Sequence, residues 1–244
     1  MIFATNELKK TIWFSSGTPT FLLTQLEQRS FIPLNVDQME TMANTLTDSC
    51  SPEKLTIETL LYFAGYVTIK NYDPAREIIQ LKYPNQEIAS AMAREILPRM
   101  SQFSELQWQK TAFDLRDAFL AADFQLVKEI INIALGGLHH KLFTEKESFY
   151  QTVLLFMLQQ GGFPVDVELP TNRGYIDLVV HGPQTIFIIE LKLNRSAGQG
   201  LAQIKEKKYF QGLLAAKLPI YLVGINCDSD TRSVTGIVSE KLVL

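Results

Sequence analysis

Residues Tyr175–Lys192, YIDLVVHGPQTIFIIELK, decide the fold of the C-terminal half. Tyr175–Val180 is rich in β-branched and aromatic residues, His181–Gln184 holds the turn formers Gly182 and Pro183, and Thr185–Leu193 resumes as a strand. The stretch therefore reads as an antiparallel hairpin. Pairing Val180 with Thr185 across the turn sets Asp177 opposite Ile188. Successive side chains alternate faces, so Asp177, Glu190 and Lys192 share one face, with Glu190 diagonal to Asp177 at roughly 7–8 Å between Cα atoms. Two carboxylates at that spacing converge on one ion. Burying an ionised carboxylate on a strand this apolar is costly unless it is paired or bound to metal. On its own the hairpin supports either an Asp/Glu/Lys ion-pair cluster at a sheet end or a Mg²⁺ site with a catalytic lysine.

Outward from the hairpin, Lys146–Gln159 carries Phe149, Val153, Phe156 and Met157 at helical spacing and ends at Gly161-Gly162. Phe163–Leu169 reads as a strand and Thr171–Gly174 as a turn. Beyond the hairpin, Arg195–Gly200 reads as a glycine-bearing loop and Leu201–Ala216 as a helix. Pro219–Asn226 is an apolar strand and Ser233–Val238 another. The order is helix, three strands, helix, then strands.

The N-terminal half is mostly helical. Thr18 followed by Pro19 predicts an N-cap and first helical residue, with a helix to about Gln28. Val36–Leu46 and Ile57–Ala64 show helical spacing, and Tyr66–Lys70 with Ile78–Leu81 form a second hairpin. Asn85 is placed to cap a helix reaching about Leu97. Three helices followed by a hairpin resemble a winged-helix arrangement, although the third helix has almost no basic residues to meet phosphates. Phe103–Ala121 and Phe124–Ala134 are two amphipathic helices that read as a connector, giving parts at 1–100, 101–140 and 141–244.

With 244 residues, 46% apolar and 20% charged, the chain has the composition of a soluble globular protein that can bury a real core. A net charge of −3 carries no nucleic-acid signal over the whole chain. Leu191–Leu244 nevertheless holds eight Lys/Arg against four acids, a positive flank of the kind a phosphodiester substrate favours and a solvated helix face also produces. Cys50 and Cys227 lack any CxxC or Cys/His spacing, which argues against a disulfide framework and a zinc site. His139 and His140 are adjacent, so they point apart, as in a surface loop. No apolar run approaches the ~20 residues that span a bilayer, and the N-terminus has no signal-peptide pattern. A cytoplasmic location is the expectation.

From about Leu142 onward the chain resembles the PD-(D/E)XK nuclease superfamily, whose αβββαβ core carries Asp on its second strand and (D/E)-x-K on its third. Those positions are filled by Asp177 in YIDLVV and by Glu190-Leu191-Lys192 in IFIIELKL. In the first half, the runs Ile12–Leu22 and Gly65–Lys70, with Tyr83–Glu87, resemble the C-terminal part of AAA-ATPase-like proteins that end in such a nuclease domain. Nothing in the chain matches GxxxxGK[ST], so ATP hydrolysis is not expected. The resemblance implies an α/β protein, with an α+β, winged-helix-like N-terminal region before a restriction-endonuclease-like core. It also implies nucleic acid, DNA foremost, as substrate and an ATPase module as partner.

The residues suit that chemistry. Mg²⁺, for which Mn²⁺ can substitute, is held by one or two carboxylates plus substrate phosphate. Asp177 and Glu190 supply the carboxylates and the Leu191 carbonyl a third oxygen, while Lys192 orients a water or stabilises developing negative charge. Asp177, Glu190 and Lys192 are thus the catalytic candidates. Glu147 matches the acidic residue many such nucleases place near the metal, and a solvated helical glutamate fits as well. Gln203 stands where some members carry a helix glutamine followed four residues later by tyrosine; here that position is Lys207, and Tyr209 comes two later. Glu168, at the end of the preceding strand, either caps the turn or approaches the site, and Arg173 either contacts phosphate or is an ordinary turn arginine at the surface. Non-catalytic nucleic-acid or protein binding, or regulation of an ATPase part, are the alternative functions on the same fold.

Overall fold

Strand pairing overrides helical spacing near residue 40 in the computed structural model, which describes residues 22, 24–26, 39–47, 55–85, 88, 91–92, 95, 98–99, 101–140, 143 and 145–242. Glu40–Met42 is a strand, β1, inside the helix expected over 36–46, and only Ala43–Thr47 (α1) is helical. So short a helix is marginal by itself. Pairing instead satisfies the backbone: Thr41 lies opposite Ile79, the Met39 carbonyl accepts from Leu81 N–H at 2.9 Å, and Gln80 Nε2 donates to Glu40 at 2.9 Å. Ile57–Phe63 (α2) is capped by Thr56, whose hydroxyl accepts from Thr59 N–H. Thr68–Asp73 (β2) and Ile78–Lys82 (β3) form the expected second hairpin, and the sheet order is β1-β3-β2. Asn85 Oδ1 accepts from Ile88 N–H at 3.0 Å, the cap expected there. The expected Thr18 cap lies outside the described residues, although Leu22, Thr24, Gln25 and Leu26 are helical. This part belongs to one compact unit, Met1–Ile96, and the rest of the chain to a second, Leu97–Leu244.

The second unit is a five-stranded sheet with helices on it. Glu105–Leu120 (α3) starts from a capping box between Ser104 and Gln107, and Phe124–Gly136 (α4) from Asp123, whose carboxylate accepts from Leu126 N–H. Glu147–Gln160 (α5) buries Phe149, Tyr150 and six further apolar residues. The sheet follows as Val165–Thr171 (β4), Gly174–His181 (β5) and Ile186–Leu193 (β6), then the crossover helix Ala197–Glu206 (α6), Ile220–Asp228 (β7) and Ser233–Leu242 (β8). Spatial order equals chain order, β4 to β8, and only β6 and β7 run parallel. A parallel pair needs such a crossover and is covered on both faces; seven of the eight β6 residues are buried accordingly. The unit is therefore mixed α/β, with the α5-β4-β5-β6-α6-β7 order expected of the αβββαβ core.

Aromatic packing joins helices to sheet. Phe119 meets Phe187 edge-on at 5.3 Å, and Phe187 stacks on Tyr221 at 5.6 Å. Pairs of this kind contribute about 0.5–1.5 kcal/mol each beyond their buried area. Asn132 of α4 adds reciprocal bonds to Val234 of β8 at 3.0 and 2.7 Å.

Three local expectations are corrected. Val180 pairs with Phe187 rather than Thr185, because the turn is closed by Gly182 N–H to the Thr185 carbonyl at 2.8 Å, and the fixed φ of Pro183 is ill suited to the second loop position of a tighter turn. The stretch 195–200 is not a loop throughout: α6 begins at Ala197, fixed by a capping box between Ser196 and Gln199. The helix does not reach 216, because Lys208 takes φ 51° and the chain tightens into a 3₁₀ helix over Tyr209–Ala216. Ser196→Ala is expected to cost about 1 kcal/mol, measured by urea denaturation. An unchanged midpoint would remove the capping box from the account of α6. Among the described residues no helix is long and apolar enough to cross a membrane.

Candidate active site

Strands β5 and β6 pair from His181–Ile186 to Leu178–Ile189, and beyond that point carboxylates take over from strand carbonyls. Asp177 Oδ2 accepts from Leu191 N–H at 2.8 Å, and Glu147 Oε2 of α5 accepts from Leu193 N–H at 2.9 Å. Backbone donors this deep need an acceptor, so the split between the strands draws two acids toward β6. Gln151 Nε2 of α5 bonds the Asp177 carbonyl at 3.1 Å and holds the diverging strand. On its other edge β6 stays paired with β7 as far as Leu193–Cys227, so the strand carrying Glu190 and Lys192 is rigid through the site. The observed register, continued past Leu178–Ile189, sets Asp177 level with Glu190, two residues from the Ile188 partner that the sequence suggested.

Glu190 is 2% exposed and Lys192 8%. Lys192 Nζ donates to Glu190 Oε1 at 3.0 Å and to the Leu191 carbonyl at 2.7 Å. Gln203 Nε2 of α6 makes a short hydrogen bond to the same Oε1. Glu190 Oε2 is buried with no hydrogen-bond partner among the described residues. The reach of Gln203 depends on close packing. Gly224 lies beside Glu190 in the parallel register, and a Cβ there would stand 2.0 Å from the Ala197 carbonyl of α6; a Cβ on Gly200 would stand 2.8 Å from the Glu190 carbonyl.

Burial, then the charge of Glu190, pushes the Asp177 carboxyl up to about 7, against the Leu191 N–H and Lys192. Burial likewise raises Glu190, opposed by its Lys192 bond and by the charges of Lys192 and Lys207. Two half-compensated acids beside one ammonium leave room for more positive charge. The donor set fits a hard divalent ion. Lys192 Nζ already stands as a cation between Glu190 Oε1 and the Leu191 carbonyl, and Glu190 Oε2 is an orphaned acceptor. Among the described residues no three His, Cys, Asp or Glu side chains group as a metal site. Mg²⁺ does not need three, since it keeps waters and takes substrate phosphate.

The fold thus joins Asp177, Glu190, Leu191, Lys192, Glu147 and Gln203 in one network. Tyr209 stays outside it, in the apolar cluster with Ile176, Ile188 and Ile204, its hydroxyl buried and without a partner among the described residues. Glu168 is exposed with φ 47°, and Arg173 is exposed with Nη1 3.4 Å from the Glu206 carbonyl. His139 and His140 are both exposed. Cys227 is a free, buried thiol pushed up to about 12 by burial, and Cys50 lies outside the described residues. Gln151 and Lys207 carry no motif, and only the tertiary contacts bring them to notice.

A protein of Azotobacter chroococcum mcd 1, described as an uncharacterized protein in the vnfD 5′ region, is 31% identical over 240 residues. The match covers 94% of this chain and 46% of that protein, so the chain spans about half the length of the curated relative it matches. Residues 145–236, which contain every member of the network, match the family model of the PD-(D/E)XK nuclease superfamily.

Proposed function

We propose that the C-terminal unit is a Mg²⁺-dependent nuclease that hydrolyses phosphodiester bonds of nucleic acid, DNA foremost. The observation that carries this reading is the Lys192 ammonium lodged between Glu190 Oε1 and the Leu191 carbonyl, beside Asp177 and an unpartnered Glu190 oxygen. Asp177, Glu190 and the Leu191 carbonyl are the assigned metal ligands. When bound, the ion supplies Lewis acidity at the phosphoryl oxygens and acidifies a water. Lys192, whose ammonium lies against these same oxygens, would orient the attacking water and balance negative charge developing on the phosphorus oxygens. Gln203 holds the Glu190 carboxylate in place, and Glu147 holds the end of β6.

Around this core we assign residues 1–100 to a winged-helix-like part of an AAA-ATPase-like module, 101–140 to a helical connector and 141–244 to the nuclease domain. The β1-β3-β2 sheet, with α1 and α2 between β1 and β2 in the chain, supports a winged-helix reading. An ATPase module is the proposed partner and the cytoplasm the proposed location.

Incubation of labelled single- and double-stranded DNA and RNA with the protein and Mg²⁺ or Mn²⁺ is expected to yield cleavage that EDTA stops. Lys192→Ala is expected to lower the rate by about 10²–10³-fold. No cleavage of any of the four substrates, or an unchanged rate in the variant, would sink the nuclease reading.

A further inference from the structure

Several cations stand at and beside the end of helix α6, and three of them are engaged. Lys205 pairs with Glu240 at 2.8 Å, Lys192 with Glu190 at 3.0 Å, and Arg173 leans on the Glu206 carbonyl. Lys207 is half-buried and makes no ion pair or side-chain hydrogen bond among the described residues. Its ammonium lies 5.8 Å from the centre of the Tyr209 ring. It also lies 3.2 Å from the point that a Cβ on Gly174 would take, and the Tyr209 hydroxyl lies 3.1 Å from the same point. That hydroxyl is buried with no acceptor among the described residues. Two donors therefore flank the bare side of Gly174, whose φ of 135° suits glycine alone. A donor withdrawn from water without an acceptor is costly, and a compact ammonium is a phosphate binder.

The place is near the proposed chemistry. Gly174 is three residues before Asp177 on β5, a span of at most about 10 Å. Neighbouring phosphates of one strand stand farther apart than the ~3.4 Å axial rise, so this span reaches the nearest one or two. Lys207 is also close enough for its charge to act on Glu190.

We propose that Lys207, with the Tyr209 hydroxyl beneath it, forms a subsite for a backbone phosphate one or two nucleotides from the bond cleaved. This deepens the nuclease reading and rests on it. The subsite takes any phosphodiester strand and reads no base, so it contributes affinity and position rather than sequence preference.

Binding in EDTA separates the subsite from catalysis. Fluorescence anisotropy with a fluorescein-labelled 20-mer, single-stranded and as a DNA duplex, gives Kd across a salt series for wild type, Lys207→Gln, Lys207→Met, Lys207→Arg and Tyr209→Phe. Loss of one phosphate contact is expected to reduce the slope of log K against log salt by about 0.9 on duplex or about 0.7 on single strand in the Gln and Met variants. Lys207→Arg is expected to keep the slope. Tyr209→Phe, which loses a donor but no charge, is expected to weaken binding roughly two- to tenfold at constant slope. A structural role at the helix end would shift the urea midpoint and leave the slope alone. Unchanged slopes in both Lys207 variants, with wild type still cleaving in Mg²⁺, would overturn the subsite and leave the nuclease reading standing. Wild type that neither binds nor cleaves overturns both.

Discussion

Asp177→Asn is expected to abolish cleavage and, at the same time, to make the metal-free protein more stable at neutral pH. The asparagine oxygen can still accept from Leu191 N–H, so the local backbone bond at 2.8 Å survives the substitution. What disappears is a charge that divalent ions need and folding disfavours. A loss of at least about 10³-fold in cleavage is expected from removing one of the two carboxylates proposed as metal ligands. The stability change follows from the raised carboxyl at about 7 against an ordinary value of 3.8. A group raised on folding contributes stability that is complete below the unfolded value and is lost as pH climbs through the folded one. The wild type in EDTA should therefore lose stability between about pH 4 and pH 7, by up to about 4 kcal/mol from this residue. The variant has no such loss, so the two should be similar near pH 4 and diverge toward pH 8. Urea midpoints at pH 4.5, 6 and 8 measure the divergence, and a constant difference across that range contradicts it. Adding Mg²⁺ at pH 8 should stabilise the wild type and not the variant, since only a ligand that binds the native state shifts the equilibrium.

Gly224→Ala is expected to be the most damaging single-methyl change in the second unit. The added carbon would stand 2.0 Å from the Ala197 carbonyl and 2.6 Å from the Leu201 nitrogen, both backbone atoms of α6 that cannot turn aside. Overpacking commonly costs 1–3 kcal/mol, and a clash with a helix backbone belongs at or above about 3 kcal/mol. The helix must move away from β6 and β7, which carries Gln203 off Glu190, so activity should fall with stability. Gly212→Ala is the matched control: nothing lies within 4 Å of its Cβ position, and its effect should stay within about 1 kcal/mol of zero or be slightly stabilising. Equal denaturation midpoints for the two variants would show that α6 does not rest on Gly224.

The site was legible in the sequence as residue types and spacing. Asp177 on one strand and Glu190-x-Lys192 on the next share a face because strands alternate, and the order of elements around them could be read from apolar periodicity. The exact pairing was not, because two registers differing by two residues keep the same face inward and only the turn closure at Gly182 and Thr185 selects between them. Helix α6 was misplaced for a related reason. Gly198 and Gly200 look like loop formers, yet Gly200 is small because α6 approaches the Glu190 carbonyl, a contact no local rule contains. At residue 40, helical spacing lost to the backbone pairing offered by β3.

Alternation and periodicity are local properties of the chain, and they suffice for the two strands of the hairpin, the acids and lysine they carry and the αβββαβ order. Long-range packing sets the bonds of Asp177 and Glu147 to the N–H groups of β6, the reach of Gln203 to Glu190, and the meeting of Lys207 and Tyr209 beside Gly174. Those contacts join residues 13 to 46 positions apart. Their geometry is set by where β5 and β6 part and by how closely two glycines let a helix approach a sheet.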